Sequence, residues 1–226
     1  MKIVAISDTH GFHRRFVIPN ADVLIHAGDI TGSGELEIVR DFAAWLESLP
    51  HKHKIVVPGN HDFCFDISKS RYDERAVAAV RGAAHLLIDA SVTIDGFKIY
   101  GSPWVPNLAM WAFYDRGRDR FRDAPTDIDV LVTHGPPDGV RDKAFDADGV
   151  EVSQSAMMWL NPHVGSRPLL EYVRRCPRLQ AHVFGHVHEG YGQICGAPRF
   201  VNAAVCTREY EPTNPPIVFE VEPRSL

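Results

Sequence analysis

The sequence predicts an α/β fold built in layers around mixed β-sheets. Two observations carry that expectation. Early in the chain, short apolar runs rich in β-branched residues alternate with helical periodicity, and later such runs follow one another as strand pairs. Each run also closes on small or polar residues, the punctuation of strands that end in turns. Ile3 to Ile6 opens the series and runs into "SDTHG", and Val23 to Ile25 comes next and runs into "HAGD". Before the third strand, Ile55 to Val57, lies "GSGELEIVRDFAAWLESLP", in which Leu36, Val39, Phe42 or Ala43, and Leu46 recur at helical spacing. Ser33 is placed to cap that helix, Glu35 and Glu37 put negative charge in its first turn, and Pro50 ends it. Val92 to Ile94, Lys98 to Tyr100 and Val130 to Val132 continue the strands. A second helix over Pro168 to Arg175 turns Leu169, Leu170 and Val173 inward, and His182 to Phe184, Phe200 to Ala203 and Val218 to Val221 complete the set.

A chain of 226 residues with 45% hydrophobic content can bury a full core, and with no repeat, linker or charged tail it reads as one domain over residues 1–226. Lysine and arginine number 24 against 29 acidic residues, a net charge of -5, so the surface offers no general pull toward nucleic-acid polymers or anionic membranes. The opening "MKIVAISDTHG" meets Asp8 too soon for a secretory leader, and no later stretch approaches a membrane span. A soluble cytoplasmic protein is therefore expected. Cys64, Cys176, Cys195 and Cys206 show no C-x-x-C pairing and are expected to be reduced thiols.

Chemistry gathers just past the carboxyl ends of the strands. After Ile3 to Ile6 comes "SDTHG", after Val23 to Ile25 "HAGD", after Ile55 to Val57 "PGNHD", after Val130 to Val132 "THGPP", and after Phe184 "GHVHEG". Ligand sites collect at such strand ends in α/β sheets, so Asp8, His10, Asp29, Asn60, His61, His134, His186 and His188 are expected to converge on one cleft. Nitrogen and oxygen donors without thiolate suit Mn, Fe, Zn or Ni, and so many donors exceed the needs of one ion. Two ions sharing a bridging carboxylate is the economical reading. Each block alone has a plainer explanation: a strand-end aspartate capping a turn, an asparagine in a left-handed turn, histidines exposed at a strand end. Five in order, each after its own strand, are hard to assemble by accident. If the chain is extended through "GHVHEG", His186 and His188 point to the same side, and the flanking glycines allow close backbone approach.

The ordered blocks "DTHG", "GD", "GNHD", "THGPP" and "GHVH" resemble those of the calcineurin-like metallophosphoesterases through nearly the whole chain. "VLIHAGD", "LPHKHKIVVPGNHD", "HVFGHVHEGYG" and "EPTNPPIVFEV" are similar to the MPPED (UPF0046) group within them. The resemblance implies a four-layer αββα sandwich of two mixed β-sheets flanked by helices, with a binuclear metal centre between the sheets. It implies Asp8, His10, Asp29 and His188 around a first metal and Asp29, Asn60, His134 and His186 around a second, Asp29 being the bridge. Some vertebrate relatives have glycine at the position of His186, whereas this chain keeps the histidine. Manganese is the first choice of metal, with iron, zinc, nickel or magnesium as alternatives.

Two divalent ions, two aspartates and a bridging hydroxide would leave the centre near +1, a local cationic spot in an acidic protein that selects small phosphate groups. Ions roughly 3.5 to 4 Å apart lower the pKa of the bridging water and polarise the phosphoryl oxygens for in-line attack. The resemblance places His61 over the scissile group as the acid for the leaving oxygen. Asp62, next in sequence, is expected to orient that ring.

The function implied is a phosphodiesterase on small diesters, with cyclic nucleotides such as 2′,3′-cAMP suggested by likeness to the MPPED group and to class III cyclic nucleotide phosphodiesterases. A phosphomonoesterase acting on nucleotides or phosphoproteins is the alternative. Protein phosphatases of the superfamily have "GDYVDRG" and "RGNHE", where this chain has "GDITGSG" and "PGNHD". A non-catalytic scaffold is disfavoured because every ligand position is filled. In "GSPWVPNLAMWAFYDR", Trp104, Trp111, Phe113 and Tyr114 are expected as loop core, with base stacking the alternative. "DKAFDADGVEVSQSAMMWLNPHVG", residues 142–165, reads as a long ordered loop suited to substrate selection. Arg14, Arg15 and "HKHK" read as a solvated face, and His26 as a support behind the ligands.

Overall fold

A computed structural model describes residues 1–144 and 163–223. Two sheets stack face to face. The first contains β1 (Lys2–Ile6), β2 (Val23–His26), β3 (His53–Val56) and β4 (His85–Leu86) in parallel, with β11 (Ile217–Glu220) antiparallel beside β1. The second runs β5 (Ala90–Ile94), β6 (Phe97–Ser102), β7 (Val130–Thr133), β8 (Ala181–Phe184), β10 (Arg199–Asn202) and β9 (Gly192–Ile194), parallel from β6 through β10 with antiparallel edges. The expected strands are all present within a residue or two, with two short additions, β4 and β9.

Alternation along the strands sorts the core into layers. In β1, Ile3 and Ala5 join Val23, Ile25, Ile55, Ile99, Val130, Val132, Val183 and Val201 between the sheets. Their neighbours Val4 and Ile6 face the other way, against α1 (Leu36–Ser48) and α2 (Glu74–Ala83) through Val39, Phe42, Leu46, Val77 and Val80. On the far side, Tyr100 and Leu131 pack on Leu169, Tyr172 and Val173 of α3 (Arg167–Arg174). Helices, sheet, sheet, helix: the chain has the four-layer αββα architecture.

Three local expectations are corrected and one helix is added. Ser33 does not cap α1; its N–H and hydroxyl donate to Glu35, which itself occupies the N-cap position. Tyr172 takes the inward position expected of Leu170, which is only half-buried. α2 has no counterpart among the expected helices because "ERAVAAVRGA" buries only the short side chains of Ala76, Val77 and Val80; Asp73 caps it by accepting from the Arg75 N–H. Of "HKHK", Lys52 is solvated, but His51 is buried against the Pro19 carbonyl. Residues 145–162, most of the loop expected to select substrate, lie outside the described residues. All four cysteines are free, three of them buried, and among the described residues no helix is long and apolar enough to cross a membrane.

Phe42 of α1 is fully buried and touches the rings of His13, His26 and Trp45, so it joins the helix to the strand that leads into the cleft. Phe42→Ala should cost about 3–5 kcal/mol through lost burial and a residual cavity. In urea the midpoint should fall with the slope unchanged.

Candidate metal centre

The eight residues singled out in the sequence do converge, each from a loop just beyond a parallel strand. Asp8 and His10 follow β1, Asp29 follows β2, Asn60 and His61 follow β3, His134 follows β7, and His186 and His188 follow β8. The loops reverse sharply: Asp8, His10, Asp29 and His186 all have left-handed backbones, at φ of 56, 43, 56 and 69°. That finding corrects the extended-chain account of "GHVHEG". His186 is left-handed and His188 begins a 3-10 turn (His188–Gly190), so a kink, not strand alternation, brings both rings to the cleft. The glycines do allow close approach: a Cβ at Gly185 would lie 2.0 Å from Asp8 Oδ2, and one at Gly190 would lie 2.2 Å from the Arg141 carbonyl.

The loops are laced to one another. The N–H groups of Asp8, His10 and Gly11 donate to the carbonyls of Gly28, Asp29 and Ile30 at 2.8, 3.0 and 2.8 Å. Asp62 laces the loops after β2 and β3, accepting from the N–H groups of Gly59, Ile30 and Thr31 and from the Thr31 hydroxyl at 2.8–3.1 Å. Burial, with the Asp29 charge nearby, raises its carboxyl to about 6. Asp62 therefore does not orient His61, contrary to the expectation from sequence; the Gly32 carbonyl does, accepting from His61 Nδ1 at 2.7 Å. Successive side chains diverge here, and the carboxylate is spent on backbone.

At the centre, Asp8 and Asp29 are buried, at 0% and 2% exposure. His188 Nε2 lies 3.4 Å from Asp8 Oδ1, and His134 Nε2 lies 3.3 Å from Asp29 Oδ2 and 2.8 Å from Asn60 Oδ1. His10 Nε2 and His61 Nε2 each stand 3.9 Å from Asp29 Oδ2, and the Nε2 atoms of His10 and His188 are 3.4 Å apart. Among the described residues, three triads have ligand atoms within 4.8 Å of one another: Asp8, His10 and His188; Asp29, His134 and His186; and His10, Asp29 and His61. His10 and Asp29 each belong to two of them, and of these Asp29 is the carboxylate, the group with two oxygens to offer.

The fit to metal ions rests on how the imidazoles are held. Nδ1 of His10, His61, His134 and His188 each meets a backbone carbonyl, of Thr31, Gly32, Ala27 and Thr207, at 3.3, 2.7, 3.0 and 2.7 Å. A carbonyl only accepts, so each Nδ1 carries a proton and each Nε2 is turned toward the carboxylates, where loss of its own proton would leave the lone pair a metal ligand needs. His26 shows the opposite arrangement. Its Nδ1 accepts from the Gly28 N–H, leaving Nε2 to donate to the Thr9 hydroxyl, and burial pushes its pKa down to about 3. It is a neutral support beneath the loop that carries Asp8 and His10. Burial would also lower His134 and His188, but Asp29 and Asp8 respectively override it and raise each to about 9. The pocket thus favours positive charge at both ends, and its all-nitrogen-and-oxygen donor set accommodates divalent ions.

Several contributors carried no sequence signal. The anchoring carbonyls are invisible to residue type. Arg141 donates to the carbonyls of Gly190, Tyr191 and Gln193 at 2.9–3.0 Å and so fixes the segment after His188. Tyr210 lies edge-on to His10 and His188, at 4.7 and 5.7 Å between ring centroids. Among the aromatics, Phe113 is core and Trp104 is closed off by Asp89 and Arg120, as expected, whereas Trp111 lies against His61.

Loading the protein with Mn²⁺ should have two measurable outcomes. At neutral pH, His134 and His188 must each give up a proton to become ligands, so binding should release about 2 protons and tighten as pH rises toward 9. Calorimetry in buffers of different ionisation enthalpy measures that release. His186→Ala should hold one ion fewer than the native protein, as read by metal analysis after desalting.

Comparison with known proteins agrees with the geometry. The family model for calcineurin-like phosphoesterases matches residues 1–190. The chain is 37% identical to human metallophosphoesterase domain-containing protein 1, over 97% of this chain and 71% of that protein. It is 36% identical to a UPF0046 protein of Caenorhabditis elegans, over 98% of this chain and 81% of the other. Among solved structures, phosphopantetheinyl hydrolase from Mycobacterium tuberculosis has the same fold, with a TM-score of 0.60 at 16% identity, covering 100% of this chain and 98% of that one. The match over residues 1–190 and the identity to these relatives show that the chain belongs to the calcineurin-like phosphoesterases and is a metal-dependent phosphoester hydrolase by family.

Proposed function

We propose that this protein hydrolyses small phosphodiesters, with 2′,3′-cyclic nucleotides such as 2′,3′-cAMP the foremost substrates. The observation that carries the reading is the cluster of imidazoles whose Nε2 atoms converge on Asp8 and Asp29 while Nδ1 is anchored. Asp8, His10, Asp29 and His188 would hold one divalent ion and Asp29, Asn60, His134 and His186 the other, manganese being the first choice. When bound, the ions supply Lewis acidity and an acidified water.

The chain's own contribution is orientation and a proton. The loop carbonyls hold the rings in place, and the lacing between loops sets the ligands before substrate arrives. His61 is the least buried of the cleft histidines that face Asp29, with 15% of its side chain exposed against 4% for His10 and 0% for His134. With Nδ1 committed to Gly32, only Nε2 can exchange a proton with a substrate. Hydrolysis of the cyclic diester breaks the bond from phosphorus to the 2′ or 3′ oxygen, water supplies the new phosphorus–oxygen bond, and His61 Nε2 protonates the departing oxygen. A net charge of -5 argues for small substrates over polyanions. Four free cysteines support a reducing, cytoplasmic setting.

The test compares bis(p-nitrophenyl) phosphate with p-nitrophenyl phosphate on metal-stripped protein reloaded with Mn²⁺. Faster cleavage of the diester is expected; preference for the monoester would put a phosphomonoesterase in its place. His61→Ala should lose roughly 10²- to 10⁴-fold in kcat while binding the same amount of metal. Loss of metal together with activity would make His61 a ligand instead of the acid.

A further inference from the structure

The cleft wall beyond His61 is aromatic. The Trp111 ring lies 4.3 Å from that of His61 between centroids, tilted by 44°, and Phe63 is next at 5.8 Å from Trp111. This wall is tied into the site by backbone: the Ala112 N–H donates to the carbonyl of Asn60 at 3.1 Å, the Trp111 N–H to Leu108 at 2.9 Å, and the Phe113 N–H to buried Asp66 at 2.8 Å. The indole is thereby held in register with the Asn60–His61 pair.

The aromatic residues around it are already occupied. Trp104 donates its indole N–H to Asp89 at 2.7 Å and carries the Arg120 guanidinium over its ring at 3.5 Å. Phe113 is buried. Phe63 has the Lys69 ammonium and the Arg71 guanidinium 5.9 and 5.6 Å from its centroid, and those side chains also donate to the Met110 and Ser33 carbonyls. Trp111 is only half-buried, next to Met110 at 84% exposure. A partly exposed indole braced by Phe63 and placed beside the ring that faces the leaving oxygen is a costly arrangement for packing alone.

We infer that Trp111 is the specificity residue of a leaving-group subsite and stacks on the purine or pyrimidine base of a nucleoside phosphate. In a 2′,3′-cyclic nucleotide the leaving oxygen and the base sit on the same ribose, so a ring whose 2′ or 3′ oxygen faces His61 carries its base toward Trp111. The inference rests on the phosphodiesterase reading for its substrate class, not for its geometry.

The experiment uses the Mn²⁺-loaded protein with Trp111→Leu and Trp111→Phe, on 2′,3′-cAMP and on the baseless glycerol 1,2-cyclic phosphate. The ratio of KM for 2′,3′-cAMP to KM for the baseless diester should rise roughly 10-fold in Trp111→Leu and largely return in Trp111→Phe, the range expected for loss of one base–aromatic stack. Equal changes on both substrates would overturn the inference and leave Trp111 as a support for His61. If neither diester is cleaved, the diesterase reading fails, and binding still decides the stacking. Quenching of tryptophan fluorescence by 3′-AMP, not by glycerol phosphate, and its loss in Trp111→Phe, would support the subsite. Quenching that survives that substitution, or no quenching of the native protein, would overturn it.

Discussion

Burial of Asp8 and Asp29 is the constraint to which the rest of the site answers. Taking a carboxylate out of water costs several kcal/mol even after relaxation, and burial alone would raise both carboxyls. Instead both are held well below the ordinary carboxylate range, Asp8 chiefly by hydrogen bonding and charge from His188 and Asp29 chiefly by the charge of His134. Backbone adds to this: the His186 N–H points at both oxygens of Asp8 at 3.0–3.1 Å, and the His61 N–H donates to Asp29 at 2.9 Å. The cleft histidines thus also donate their main chains to the carboxylates, so the same loops neutralise the aspartates and aim the imidazoles.

That arrangement requires backbones that L-residues adopt reluctantly. Four of the converging residues are left-handed, a conformation costing on the order of 1–2 kcal/mol for a residue with a Cβ. The strain persists because the surroundings over-determine it. Parallel strands deliver every loop to the same end of the sandwich, the sheets pack through an apolar layer that leaves little room to slide, and inter-loop hydrogen bonds close the gaps. Rigid sheets position the site, and laced turns finish it.

This division of labour explains how much of the molecule is legible in its sequence. Strands are legible because their β-branched runs are buried, and the candidate ligands are legible because five blocks of aspartate, asparagine and histidine follow five such runs in order. The four-layer sandwich comes from resemblance, since alternating burial shows two faces per strand without saying what covers them. Adjacency misleads twice. Asp62 and His61 pair only as neighbours in sequence, whereas the carboxylate turns back onto Gly59, Ile30 and Thr31; and Val187 has the look of a strand spacer in a segment that kinks. Trp111 cannot be separated from Trp104 by composition, because the difference lies in which neighbours already cover each ring.

The least conspicuous motif turns out to hold the most together. "GD" is the weakest of the five blocks as a sequence signal, yet residues 27–32 supply the carbonyls that anchor three histidines: Ala27 for His134, Thr31 for His10 and Gly32 for His61. The carbonyls of Gly28, Asp29 and Ile30 between them accept from the loop after β1, and the N–H groups of Ile30 and Thr31 donate to Asp62 in the loop after β3. The side chain this stretch sends to the centre is Asp29, the carboxylate shared by two of the three ligand triads. A carboxylate that bridged two ions would need the closest placement of any ligand, since an error there would displace both at once. Placing it on the segment that also anchors the neighbouring rings makes their errors correlated: if the loop shifts, Asp29, His10, His61 and His134 shift together. The geometry between ligands is thereby better preserved than the position of any one of them, and that internal geometry is what a two-ion centre depends on.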